Sequence, residues 1–419
     1  MARLDHVRVL VAGPGRHIFE GLGGRPVQLH HLSVAHRVEP DVIVLPCGQH
    51  QDVVEIAAGI PAAIWARAAA RQAVVVFDSS SEGHQHYPET TEMLHGLVQG
   101  LGVSPSVCSY LTQDRGYRED YLRFCASVDH TEPMQVLNYD YWIRRFLTER
   151  PADGDGLFEA RREAFERRSS RRERRFISLN LTARPAKVLF LLKLMHEGLW
   201  DEGFISFGGF EYAKPDSPNP VRKLRKQILA LPGFRDIFRE VAPGLDELDA
   251  MGHVMFGELD YAESGRRFRN IPFGDSLGDE YARSWFTIVP ETEMRDRPAR
   301  ITEKPFKALV NFHPVIVLGN PGSLKLIKSF GFRTFEGFFD ESYDEELDPR
   351  KRFDLVYSEV ARLCAMEEDM LARLEAGIAE TLTYNARWGL TQLPQIYRER
   401  IDADLLDGIL GPLETTSTP

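Results

Sequence analysis

Cysteine is scarce: four residues in 419, Cys47, Cys108, Cys125 and Cys364, with no Cys-x-x-Cys pair among them. Scattered thiols in a chain of this length exclude a disulfide scaffold and read as reduced, mostly buried side chains. Cys47 and His50 have a ligand-like spacing, but no second pair completes a metal site. Long apolar runs are missing as well. None approaches the ~20 residues that span a bilayer, and "MARLDHVRVLVAGPG" lacks the apolar core of a secretory signal. The expectation is a cytoplasmic protein with no integral membrane segment, with peripheral contact at the inner membrane face left open. A basic excess is absent too. Against 62 Asp and Glu stand 51 Lys and Arg, and the net charge of -11 argues against a dedicated nucleic-acid binder. "VAGPG" (Val11 to Gly15) is glycine-rich without the spacing of a dinucleotide loop, and no Gly-Lys-Ser/Thr makes a Walker loop. No repeat of solenoid period is present.

What is present suffices for two α/β domains. The composition, 43% hydrophobic and 27% charged, is that of a globular protein. "VRVLVAG", "DVIVLPCG", "QAVVVFDSSSEG", "SVCSYLTQD" and "MQVLNYDYW" read as strands, separated by helical stretches such as "PETTEMLHGLVQGLG". Continuous apolar strands alternating with helices predict a mostly parallel sheet covered on both faces. After "PADGDG" comes "ARREAFERRSSRRERR" (Ala160 to Arg175), eight arginines in a charged helix or linker. A second alternating region follows: the strand "FISLN", a helix over 186–198, the strand "SWFTIVPET", a short helix, the strand "HPVIVLG", the helix "SLKLIKSFG" and a strand "RTFEGFF". Residues 357–387 read as helical, and 222–272 show no clean period. The predicted architecture is two Rossmann-like domains facing a cleft. Residues 1–150 form an acceptor domain, 151–175 a basic linker, 176–375 a donor domain and 376–419 a helical tail.

Four clusters carry chemistry. In "ITEKPFKALV", Thr302 reads as an N-cap and Pro305 lies in the first turn. Glu303 and Lys304 then sit where a helix start favours an anion. A carboxylate there can accept from a ribose diol, and the lysine can neutralise a diphosphate. Glu291 closes the preceding strand, and "GNPGS" follows the next one, with Gly322 and Ser323 as backbone phosphate contacts. Open parallel sheets bind ligands at such carboxyl ends. In "SLNLTARPAK", Asn180, Arg184 and Lys187 can share one face, and arginine suits bidentate phosphate binding. In "FDSSSEGHQHY", Asp78, Glu82, His84 and His86 are candidate bases for a hydroxyl. The two histidines lack a third ligand, so no metal is assigned. "DGD" (Asp153 to Asp155) imitates the Asp-x-Asp of some sugar transferases but follows no strand. "DESYDEELD" reads as a solvated loop from which Ser342 and Tyr343 could reach a ligand.

The stretch "ETEMRDRPARITEKPFKALVNFHPVIVLGNPGS" resembles the donor-binding segment of the family-ten fucosyltransferases, and "SLNLTARPAKVLFLLKL" is similar to the start of their donor domain. "ITEKPFKALVNFHPVIVLGNPGSLKLIKSFGFRTFEGFFDESYD" is closer still to uncharacterised bacterial and phage proteins described as glycosyltransferases. The likeness covers about half of the second domain, and the first only loosely through "FDSSSEG" and "YLTQD". It implies a GT-B fold, a nucleotide-sugar donor in the C-terminal domain and transfer without a metal or cofactor. It places Glu291, Glu303 and Lys304 at donor-contacting positions, Arg184 on the diphosphate and Glu82 as the catalytic base. The His313-Pro314 pair departs from the family pattern, so the donor sugar need not be fucose.

The expected activity is therefore an inverting glycosyltransferase, acting on a glycan, lipid-linked, protein or modified-base acceptor in surface glycan or phage-related glycosylation. The competing expectations are an epimerase or phosphorylase on the same fold, a silent nucleotide- or sugar-binding protein of envelope or phage assembly, and a nucleic-acid binder using the arginine run.

Overall fold

The computed structural model describes residues 6–13, 17–19, 22, 26–47, 53–128, 132–148, 153–168, 171–210, 219–254, 278–297 and 300–414. His50, part of "VAGPG" and all of 255–277 lie outside them. Among the described residues, ten strands form two all-parallel sheets. The chain is α/β, as expected, with two Rossmann-like units.

The first unit contains residues 1–148 and 394–419. Its strands are β1 (Val7–Val11), β2 (Val27–His31), β3 (Val42–Pro46), β4 (Val74–Ser79), β5 (Cys108–Thr112) and β6 (Gln135–Asn138). They lie in the order β2-β1-β3-β4-β5-β6. Each residue of β3 and β4 is buried, because helices cover both faces. Alternation divides the side chains. Leu10, Ile43, Leu45, Val75 and Phe77 meet Ile64, Trp65, Leu94 and Val98 on one face. Val9, Val11, Val42, Val44, Val74 and Val76 meet Leu405, Leu406, Ile409 and Leu410 on the other. The C-terminal helix (Asp402–Glu414) is thus part of the first unit's core, and the expected helical tail over 376–419 divides: 376–393 stay with the second unit, and 394–419 return to the first.

The second unit contains residues 149–393. Its strands are β7 (Phe176–Asn180), β8 (Gly203–Phe207), β9 (Phe286–Pro290) and β10 (Val315–Leu318), in the order β10-β9-β7-β8. The presumed linker belongs to this unit: "DGD" is the start of a helix (Gly154–Arg167) capped by the Asp153 side chain, which accepts from the Gly156 N–H at 2.7 Å. The arginine run divides in two. Arg162 and Arg167 pair with exposed Glu159, Glu166 and Glu163, whereas Arg168 and Arg172 are buried on Glu375 at 2.6 and 3.0 Å. "RTFEGFF" is not a strand. The Glu341 carboxylate accepts from the Phe335 N–H and the Thr334 hydroxyl, so a side chain satisfies that backbone where a ladder was expected, and Phe335, Phe338 and Phe339 plug the core. Among the described residues, no helix is long and apolar enough to cross a membrane.

Candidate functional site

Both sheets change direction of build between their first and third strands, and ligands of such sheets bind outside the carboxyl ends at that point. In the second sheet the point lies between β7 and β9. Asn180 ends β7, Glu291 follows β9, and Arg184 precedes the helix Pro185–His196 that follows β7. Three sequence-predicted residues are therefore gathered by topology alone.

Thr302 does not cap the next helix. That helix (Lys304–Leu309) has only six residues, Glu303 stands at its cap without a side-chain bond, and Thr302 Oγ1 keeps a long 3.4 Å contact to the Lys304 N–H. Its hydroxyl turns instead to Glu291, 2.7 and 2.8 Å from the two carboxylate oxygens, and its N–H donates to the same carboxylate at 3.0 Å. The reason is burial: a carboxylate this enclosed needs donors. Lys304 Nζ then donates to Thr302 Oγ1 at 2.9 Å and stands 3.9 Å from Glu291 and 4.0 Å from Glu303. Gly319 permits this approach, since a Cβ there would sit 3.1 Å from that of Glu291.

The electrostatics follow from crowding. Burial alone would raise the Glu303 carboxyl, but Lys304, Lys307 and Lys187 outweigh it and hold it down at about 2. Lys307 Nζ lies 3.7 Å from Glu303 and is lowered from its usual value, by burial before any charge. Lys187 is 2% exposed and falls to about 7, first through burial, then through Lys304; Glu291 and Glu303 oppose the shift, and Arg184 adds to it. Among the described residues neither the Arg184 nor the Lys187 side chain makes a hydrogen bond, and Arg184 Nε is buried without a partner. Asn180 Nδ2 donates to Ser178 Oγ at 2.9 Å, while its buried Oδ1 finds no partner. Buried polar groups are rarely left so, and these lie at the end of β7 and the start of the helix that follows it.

The "GNPGS" turn serves differently from the phosphate loop expected. Gly322 adopts φ 73°, and its N–H donates to the Asp344 carbonyl at 2.8 Å. Ser323 Oγ donates to the Asn320 carbonyl at 2.7 Å. The Asp344 carboxylate accepts from the Leu324 and Lys325 N–H groups at 2.9 and 3.2 Å. The chain's own anion fills this helix start, which corrects Gly322 and Ser323 from phosphate contacts to structural residues. Tyr343 is buried, so the acidic loop is not merely solvated. His313 is structural as well. Its ring lies 2.6 Å from Thr287 Oγ1 and 3.0 Å from the Ser284 carbonyl, and burial lowers it to about 3.

Sequence reading passed over Arg352 and Asn320. Arg352, fully buried, donates to the carbonyls of Gly319, Glu346, Leu347 and Arg295. Asn320 accepts from the Arg295 N–H at 2.8 Å and donates to the Arg300 carbonyl at 3.3 Å. Together they fix the ends of the loop from Glu291 to Thr302. A lone arginine in "PRKRF" carries no signal for this role.

Glu82 lies in the first unit, on the loop after β4. Asp78 builds that loop by accepting from the Ile18 and Ser80 N–H groups at 2.8 and 2.9 Å. Glu82 is half-buried, 4.0 Å from His84. His86 turns away to Thr91 at 2.7 Å, so the two histidines do not share a ligand position. Beside the loop is a pocket of about 350 Å³ lined by Cys47, His84, Gln85, Tyr87, Tyr110 and Tyr117 among others, with no carboxylate, lysine or arginine among the described residues that line it. Among the described residues one group, His196, Glu197 and Glu240, has metal-ligand proximity. All three are exposed, and Lys193 Nζ already donates to both carboxylates, at 2.6 and 2.9 Å.

No family model matches the chain, and no curated protein matches its sequence. A solved structure described as the crystal structure of an alpha1,3-fucosyltransferase is similar over 97% of this chain and 90% of that one, with a TM-score of 0.40 and 10% identity.

Proposed function

We propose that the chain is a glycosyltransferase that moves a sugar from a nucleotide-sugar to an acceptor hydroxyl. The observation that carries this reading is the pair of cations, Arg184 and Lys187, whose side chains have no hydrogen-bond or ion-pair partner among the described residues, at the switch point of the second sheet, beside Lys304. A polyanion is the ligand such a place is built to take, and in a sugar transfer the leaving diphosphate gains charge as the bond breaks. Fixed cations there favour the transition state. Glu303, held ionised, suits the hydroxyls of a ribose. Glu291 is a positioning residue, spent on Thr302 and Lys304. The first unit supplies the acceptor side. Its pocket offers rings and neutral polar groups, the chemistry of an uncharged polyhydroxyl ligand, and Glu82 removes the acceptor proton in a single, inverting displacement that needs no metal.

The test is a thermal-shift panel of GDP-, UDP-, CMP- and dTDP-sugars, with and without divalent metal. A ligand of the native state raises its melting temperature in proportion to RT ln(1 + [L]/Kd). A metal-independent shift with one nucleotide class is expected. No shift with any of them moves the weight away from the donor site. Binding without a new glycosidic bond in any product separates a silent binding protein, an epimerase or a phosphorylase from a transferase. Glu82→Gln is expected to keep nucleotide-sugar affinity and to lower transfer by ~10²-fold or more; turnover equal to that of the native protein removes Glu82 from the reaction.

A further inference from the structure

The helix Pro185–His196 is almost wholly buried, and its face is apolar except at Lys187. A lysine so placed is ordinarily excluded from a core or paired within it. Here no hydrogen-bond or ion-pair partner is found among the described residues. The charged groups facing it are Arg184 from the turn before its own helix, Glu291 from the end of β9, and Glu303 and Lys304 from the start of the next helix. Lys307, one turn on, faces Glu303. With Lys187 neutral, Arg184, Lys304 and Lys307 stand against Glu291 and Glu303, leaving a single net positive charge. With Lys187 protonated, two are left, which is the charge that a diphosphate diester presents in the opposite sign.

We infer that Lys187 is a proton-linked ligand of this site: it takes up a proton as a doubly charged diphosphate diester enters, and so becomes the fourth cation around it. The inference rests on the polyanion-site reading above and adds to it a residue and a linkage. The physical cause is reciprocal. The neighbouring cations and the buried setting disfavour the ammonium in the empty site. An entering dianion reverses the local field and supplies the missing hydrogen-bond acceptor. By linkage, a ligand that raises proton affinity is itself bound more tightly where protons are plentiful. In keeping with this, the Lys187 amine is lowered to about 7, by burial first, within the range where the effect is visible.

The experiment uses the full chain with GDP-mannose and UDP-glucose, whose diphosphate charge is constant between pH 6 and 8.5, and sodium sulfate as a nucleoside-free dianion. Affinity is measured across that range, and calorimetry in buffers of different ionisation enthalpy counts protons taken up. Expected in the native protein is an affinity that weakens roughly tenfold from pH 7 to 8.5, with proton uptake on binding. In Lys187→Met, which removes a buried charge without leaving a cavity, the affinity is weaker and flat with pH and the uptake disappears. Binding with no proton uptake in the native protein overturns the inference and leaves the polyanion site standing. So does the same uptake in Lys187→Met. The native-protein arm needs no variant to fold. If no probe binds at any pH, the polyanion reading itself has failed, and the inference with it.

Discussion

Asp402→Ala is expected to destabilise the first unit by about 3–5 kcal/mol, the cost of removing one member of a buried ion pair. Asp402 is fully buried and accepts from the Tyr139 hydroxyl and from Arg144 Nη2, the latter at 3.2 Å. Arg144 is itself buried, so truncation leaves a guanidinium in a setting where water cannot replace the lost carboxylate. The effect is large because of what Asp402 begins. The helix that starts there carries Leu405, Leu406, Ile409 and Leu410 onto one face of the first sheet. Each such side chain is worth about 1.5–3 kcal/mol when buried. Loosening the first turn therefore threatens a whole layer of core. Asp402→Asn keeps an acceptor for Tyr139 and is expected to lose less. Urea unfolding, followed in the transition that belongs to the first unit, reads both variants as a change of midpoint at constant slope. A loss under about 1 kcal/mol for Asp402→Ala would mean that the C-terminal helix does not anchor there.

That return of the chain marks a boundary of what the sequence could tell. Strands β1, β3, β4 and β5 were legible because burial on both faces makes them largely apolar runs. Strand β2, "VQLHH", lies at an edge and is largely exposed, so its sequence need not be apolar. Strand β8, "GFISF", was passed over because five residues opening on glycine resemble a turn. The Asp402–Arg144 pair links positions 258 residues apart, and local periodicity contains nothing about it. "RTFEGFF" shows the opposite error. Its aromatics are buried, but Glu341 supplies the backbone's acceptor, so burial did not require a strand.

The candidate site was legible in part for a similar reason. Strand ends are local features, and chemistry-bearing residues at three of them were visible as such. Their pairing was not. Thr302 has the composition of a helix cap, yet a buried carboxylate eleven residues earlier competes for its hydroxyl and wins. Ser323 looks like a cap over an open helix start, but Asp344, twenty residues beyond Leu324, had already filled it. Which donor meets which acceptor is decided by tertiary packing, and the short polar side chains that suit caps suit such pairings equally well.

Lys304→Ala is expected to weaken nucleotide-sugar binding by about 2–5 kcal/mol, roughly 30-fold to several-thousand-fold. The lysine does two things that no neighbour can assume. It donates to Thr302 Oγ1, orienting the hydroxyl that holds Glu291, and it stands within 4.0 Å of both Glu291 and Glu303. Without it the remaining cations no longer exceed the carboxylates unless Lys187 is protonated, and a dianion gains little by entering. The partial exposure of Lys304 keeps the fold out of the result, so the ligand-free melting temperature should move little. Lys304→Arg restores the charge but not the single-point donor and is expected to recover only part of the affinity. The loss should also depend on pH. Lys304 is the largest charge opposing protonation of Lys187, so its removal lets Lys187 hold its proton to higher pH. Binding by the variant should then be flatter than native between pH 7 and 8.5, and the gap between them narrower at the alkaline end. A Lys304→Ala protein that binds within about threefold of native would remove the lysine from the donor site, since less than 0.7 kcal/mol is too little for a desolvated charge contact. A large loss that is the same at every pH would keep Lys304 in the site and uncouple it from Lys187.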